Sequence, residues 1–158
     1  MQKSNKVGFI VDELSSSQLS YSIISNINKR EKRHDEDFVV FFENSSPIVK
    51  EPHFSIMGIH ELWNFYGTGI ATSVSTCFSL AESAAPTKKF FYVWDLEWHR
   101  NHNNNQYSYD IEAFLSDDIQ LIARSEDHAK AITNYCNRDV CGVFDFNLDI
   151  NNLMEIIK

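Results

Sequence analysis

Glycine, proline and cysteine are all scarce in these 158 residues, at five, three and three copies. So few glycines leave no G-x-G-x-x-G after the first apolar run, where Asp12-Glu13-Leu14-Ser15-Ser16-Ser17 stands instead, and no Walker loop either. Gly67-x-Gly69 is isolated, and Gly8 lies inside an expected strand, where it would let a helix pack closely. A glycine cradle for a nucleotide is therefore not expected, and no cofactor is predicted. The cysteines Cys77, Cys136 and Cys141 are odd in number and form no CxxC. That pattern argues against a disulfide framework and for reduced thiols in a cytoplasmic protein. Long apolar runs are missing too. Met1 to Lys6 is polar and Val7–Val11 is too short for a signal peptide, so neither export nor membrane insertion is expected.

Positive charge is also in short supply. Fourteen Lys/Arg face 22 Asp/Glu, a net charge of −8. Residues 1–34 hold six cations against three anions, and the remainder eight against nineteen. Such a surface repels phosphate backbones, so nucleic-acid binding is not expected. The run Lys29-Arg30-Glu31-Lys32-Arg33 reads as a helix C-terminus whose cations complement the macrodipole.

Rings and short apolar runs are plentiful. Twelve Phe, six Tyr and three Trp predict an aromatic core. Phe90-Phe91-Tyr92-Val93-Trp94 is unbroken and breaks off into Asp95, Glu97, Trp98 and His99. An apolar run of this kind reads as a strand buried on both faces, and ligands of such sheets bind just beyond the strands' carboxyl ends. Further strands are expected at Lys6–Val11, Asp37–Phe42, Phe54–Met57, Ile70–Ala71, Ile119–Ala123 and Val140–Phe144. Helices are expected between them. The first is capped by Ser15 with Gln18 and turns Leu19, Ile23, Ile24 and Ile27 inward. Val74, Cys77, Phe78 and Ala81 mark the next. Ser108 opens a short one burying Ile111, Phe114 and Leu115, after a flexible polar stretch from Arg100 to Gln106. Ser125 caps one with Ala129, Ile132 and Cys136 inward, and Asp149 caps the last, with Ile150, Leu153, Met154 and Ile157. Ile59–Gly69 reads as a loop or irregular extended piece. Alternation from end to end predicts one α/β domain over residues 1–158, a Rossmann-like three-layer sandwich with a mostly parallel sheet of about six strands.

Several groupings carry potential chemistry. Asp95 and Glu97, partly desolvated at a strand end, suit general acid/base work; the alternative is that Asp95 caps the following turn. Asp95-x-Glu97-x-His99-x-x-His102 has the residue types of a metal site, but no helix fixes them on one face, so no metal is predicted. Arg124-Ser125-Glu126-Asp127-His128 opens a helix after a strand, where free N–H groups can hold an anion, although Glu126 and Asp127 already supply negative charge and His128 reads as a surface residue. His60 and Glu61 with Trp63 and Tyr66 can line a sugar groove or simply pack on the sheet.

Lys89-Phe90-Phe91-Tyr92-Val93-Trp94-Asp95-Leu96-Glu97, followed by Ile119-Gln120-Leu121-Ile122-Ala123-Arg124-Ser125-Glu126, resembles the N-terminal half of GT-B glycosyltransferases and short glycosyltransferase-like proteins of tailed phages. The resemblance implies an acceptor-holding domain in which Asp95 is the catalytic base, with Glu97 beside it and Trp98 shaping the groove. Asp12 and Glu13 after the first strand, His60, Arg124 and Glu126 complete the expected substrate contacts. The sequence reaches Lys158 on a helix where that family would cross into a donor-binding domain. The resemblance therefore implies that a nucleotide sugar binds only together with a partner chain, in a split enzyme or a noncatalytic descendant. The other expectation is a protein-binding or homo-oligomeric assembly module, with Trp63, Tyr66 and Trp98 exposed at an interface.

Overall fold

Every strand pairing in the sheet is parallel, and the order is β3-β2-β1-β4-β5-β6-β7. The computed structural model describes residues 5–31, 36–100 and 104–158. The strands are β1 (Asn5–Leu14), β2 (Glu36–Ser45), β3 (Ser55–Gly58), β4 (Thr68–Ala71), β5 (Lys88–Tyr92), β6 (Gln120–Ala123) and β7 (Gly142–Val143). The helices are α1 (Gln18–Glu31), α2 (Val74–Glu82), α3 (Asn104–Leu115), α4 (Glu126–Cys136) and α5 (Ile150–Ile157). The chain steps from β1 outward to β3, then returns to the other side of β1 and runs on to β7. The reversal puts a topological switch point between β1 and β4, the place where ligands bind in doubly wound sheets.

The parallel sheet is buried on both faces because its strands are apolar on both. Successive side chains point to opposite sides. Phe90 and Tyr92 of β5 pack with α1 residues Ile23, Ile24 and Ile27 and α5 residues Ile150, Leu153, Met154 and Ile157. Phe91 and Val93 join the opposite layer, with Val74, Cys77 and Leu80 of α2, Ala113 and Phe114 of α3, and Ile132 and Cys136 of α4. Tyr92 is fully buried, and its hydroxyl donates to the Phe144 carbonyl at 3.0 Å, which satisfies its polar atom inside that core. β5 therefore lies inside the sheet, as its apolar run requires.

Some local expectations need correction. The first helix begins after Ser17, whose Oγ accepts from the Ser20 N–H at 3.2 Å; Ser15 instead accepts from Ser17 N–H, so the Ser15–Gln18 box does not form. α3 starts at Asn104, before Ser108, and its inward face is Asp110, Ala113 and Phe114 while Leu115 is exposed. The helical register sets this: Asp110 precedes Phe114 by one turn, and Leu115 falls on the outer face. Ile59–Asn64 is a 3-10 helix rather than an extended piece. At Gly8 an added Cβ would meet the Phe41 ring at 2.8 Å and the Phe65 ring at 3.0 Å, so it makes room for rings, not for a helix. Gly69 plays the role foreseen for Gly8, since a Cβ there would strike Leu80 of α2 at 2.5 Å. Among the described residues, no helix is long and apolar enough to cross a membrane.

Candidate functional site at the carboxyl edge

At the switch point the chain is tied down by short-range polar contacts. The Thr72 hydroxyl, just beyond β4, donates to the Ile10 carbonyl of β1 at 2.7 Å. Ser73 caps α2 in a reciprocal box: its Oγ accepts from Thr76 N–H at 3.1 Å, and Thr76 Oγ1 accepts from Ser73 N–H at 3.0 Å. The third contact, like the first, joins distant parts of the chain. Glu97 opens the 3-10 turn Glu97–His99 after β5, and its Oε2 accepts the Val74 N–H at 2.8 Å. The β5 carboxylate thus sits on the first turn of α2, where the free N–H groups and the dipole favour negative charge.

Burial works against that. Desolvation pushes the Glu97 carboxyl up from 4.5 to about 7; the Val74 bond pulls it down, and the negative charges of Asp12, Asp110 and Asp95 push it further up. Desolvation is the largest effect and sets the outcome. A group balanced between acid and carboxylate near neutrality is what proton transfer requires. Tyr109, half-exposed on α3, feels the same field: burial first, then Asp110, Asp12, Glu97 and Glu43 raise its hydroxyl, while its ring packs on Phe78 at 4.6 Å between centroids.

Asp95 stands differently. It forms an ion pair with Arg100 at 2.6 Å and is half-buried, so its carboxylate is engaged by a partner from its own loop. Trp98 lies flat on Tyr135 of α4, with centroids 4.0 Å apart and planes 1° apart, and meets Phe114 edge-on at 5.1 Å. Its exposure is intermediate, because two helices clamp it. Arg124 donates from Nη1 to the Trp94 carbonyl at 3.1 Å and stacks over the Trp94 ring at 3.8 Å. Ser125 caps α4 as expected, and Glu126 is exposed in its first turn. Asp12 and Glu13 are exposed at the end of β1. His60 is exposed beside Glu61 at 3.4 Å, beyond border strand β3, so β2, β1 and β4 separate it from β5.

The structure therefore brings Asp12, Glu97 and Asp95 to one edge, with Arg124 and Trp98 alongside, and leaves His60 apart. Two further residues belong there. Tyr109 is one. His128 is the other: rather than a surface residue it is half-buried, its Nδ1 is buried with no hydrogen-bond partner among the described residues, and burial followed by Arg124 lowers its proton affinity. The cap at Ser125, whose Oγ accepts the His128 N–H at 3.2 Å, places His128 at the third helical position. His102 lies outside the described residues. Among the described residues, no three His, Cys, Asp or Glu side chains group closely enough to hold a metal; Asp95 turns to Arg100 and Glu97 to Val74. Among the described residues, Asp95 and Glu97 line none of the larger hollows, which lie at the opposite sheet edge, along α1, beside β2 and β3, and beside α4. Exposed Asp12 and Tyr109 make the edge an open rim.

The chain matches no protein-family model, and comparison with curated proteins and with solved structures gives no match either.

Proposed function

We propose that this domain is the acceptor-holding part of a glycosyltransferase-like enzyme, with a neutral hydroxyl-bearing acceptor bound across the β1/β4 edge. One observation carries the reading: Glu97, fixed on α2 by Val74, is held near neutrality at the switch point. In the reaction the acceptor oxygen bonds to the sugar's anomeric carbon as the bond from that carbon to the phosphate oxygen breaks. The hydroxyl proton passes to Glu97, and the nucleoside diphosphate leaves. The base role goes to Glu97 because Arg100 occupies Asp95. Asp12 and Asp95 beside it repel a diphosphate, so the nucleotide sugar would be held by a cationic site on another domain or chain. Amide NMR titration with mono- and oligosaccharides tests this. Saturable shifts at Asp12, Thr72, Ser73 and Glu97, weakened in Glu97→Gln, are expected. Absence of saturable shifts at that edge overturns the reading.

A second reading, an assembly module, is favoured by the opposite border. β3 ends the sheet, and around it Ile56, Met57, Trp63 and Tyr66 are exposed, Trp63 by 56% and Tyr66 by 73%. Such a border invites pairing with another chain. Size-exclusion mass with Trp63→Ser distinguishes it: an oligomer that dissociates in the variant favours assembly, and a monomer in both removes it.

A further inference from the structure

A hollow of about 670 Å³ opens along α1, on the α1/α5 side of the sheet, and shares no residue with the Glu97 edge. Its lining is unusual for this acidic chain. Lys29, Arg30 and Lys50 contribute three cations, His53 is beside them, and Asp149 is the one lining carboxylate among the described residues. Phe146, Leu148 and Ile150 give it one apolar wall.

The frame of this hollow is built from side chains whose bonds are spent on backbone. Asn28 donates to the Glu51 carbonyl and accepts from the His53 N–H, both at 2.8 Å, which pins the β2–β3 connection to α1. Asn26 donates to the carbonyls of Ser22 at 2.8 Å and Phe146 at 3.1 Å, which pins the segment before α5. Two donors within this frame are left over. Arg30 is only 9% exposed; its Nε and Nη2 grip Glu36 at 2.5 and 2.6 Å, but Nη1 has no partner among the described residues. Ser25 is 7% exposed, and its Oγ is likewise without a partner. Buried donors without acceptors are rare in folded proteins, and a water, an ion or a ligand group can complete them. Glu36 pairs with Arg30, so Lys29 and Lys50 supply the hollow's uncompensated positive charge, and Arg30 Nη1 and Ser25 Oγ are its unused donors.

We propose that this hollow is a binding site for a phosphomonoester group, carried by a small phosphorylated metabolite whose organic part lies on Phe146 and Leu148. A phosphate offers several acceptor oxygens at once, enough to serve a guanidinium edge, a hydroxyl and two ammonium groups together. Both residues that carry the unpartnered donors, Ser25 and Arg30, line the hollow. The hollow's size exceeds that of a bare phosphate, which favours an ester over the free ion.

Isothermal titration of the full chain with inorganic phosphate and with glycerol 3-phosphate is the test, with uncharged glycerol as control. Saturable binding of glycerol 3-phosphate, tighter than inorganic phosphate, is expected; equal affinities would assign the site to the free ion and overturn the ester claim. Lys29→Gln with Lys50→Gln should weaken binding by about tenfold or more, and Ser25→Ala by a few-fold, with unfolding midpoints near wild type. Arg30→Gln breaks the Glu36 pair as well, so the lysine and serine variants decide. No saturable binding to the wild-type chain, or binding unchanged in both variants, overturns the proposal.

Discussion

Glu97 Oε2 and the Val74 N–H, 23 positions apart in the chain, meet at 2.8 Å and join the end of β5 to the start of α2. This bond holds a carboxyl group in a half-buried place where burial raises it from 4.5 to about 7. The folded state thus prefers the protonated form. The resulting stability is complete below pH 4.5, fades as pH rises toward 7, and is gone above that.

Glu97→Gln removes this dependence. Relative to the variant, the wild type should lose about 1–2 kcal/mol between those two pH values, a figure reduced for partial exposure. Urea unfolding of both proteins across the window measures it. Parallel curves for the two proteins would mean that Glu97 ionises at an ordinary carboxylate pH.

Ser73 supplies half of the α2 capping box. Ser73→Ala should cost about 1 kcal/mol in chemical denaturation, since it leaves the Thr76 N–H without its acceptor. It should also loosen the turn carrying Val74, so amide exchange at Val74 should rise in this variant. Unchanged exchange there would mean that Glu97 alone holds the turn.

Phe114 is fully buried and touches Phe91 at 5.0 Å, Trp98 at 5.1 Å and Tyr135 at 5.3 Å between ring centroids. Phe114→Ala should destabilise the protein by about 3–5 kcal/mol, the cost of the lost rings' contact and the cavity left behind. Trp98 emission should shift to the red as its packing opens, and that spectrum separates local loosening from a general loss of stability.

Cys77 and Cys136 are buried and Cys141 is exposed. Burial, followed by Glu97, raises the Cys77 thiol to about 12, and burial also raises Cys141. A thiol reagent applied to the native protein should therefore modify Cys141 alone, faster as pH increases, with Cys77 and Cys136 reacting only after unfolding. Mass spectrometry of the labelled peptides checks the assignment.

The sheet was readable because each strand is a short apolar run, and a strand covered on both faces must be one. Phe90 to Val93 announced β5 in this way, and its interior place followed. The last strand is shorter than the apolar run Val140–Phe144 predicts: only Gly142–Val143 form the ladder, because a border strand pairs on one side and little holds its ends. Asn104–Gln106 looked like loop because its residues are polar, yet Asp110, Ala113 and Phe114 one turn apart pull the whole segment into α3. At the site, the residue types were visible but their partners were not. Asp95 and Arg100 are five positions apart, and only the turn between them brings them together. Glu97 meets Val74 through the sheet topology, which no local pattern encodes. His128 reads as a surface residue from its polar, acid-rich surroundings, yet it is half-buried with a buried Nδ1.

The most direct test is the titration of the Glu97 side-chain carboxyl by carbon-13 NMR in the folded protein, assigned with Glu97→Gln. A midpoint near 7 is the predicted result. A midpoint in the ordinary glutamate range, about 4 to 5, would contradict it and remove the proton acceptor from the switch point.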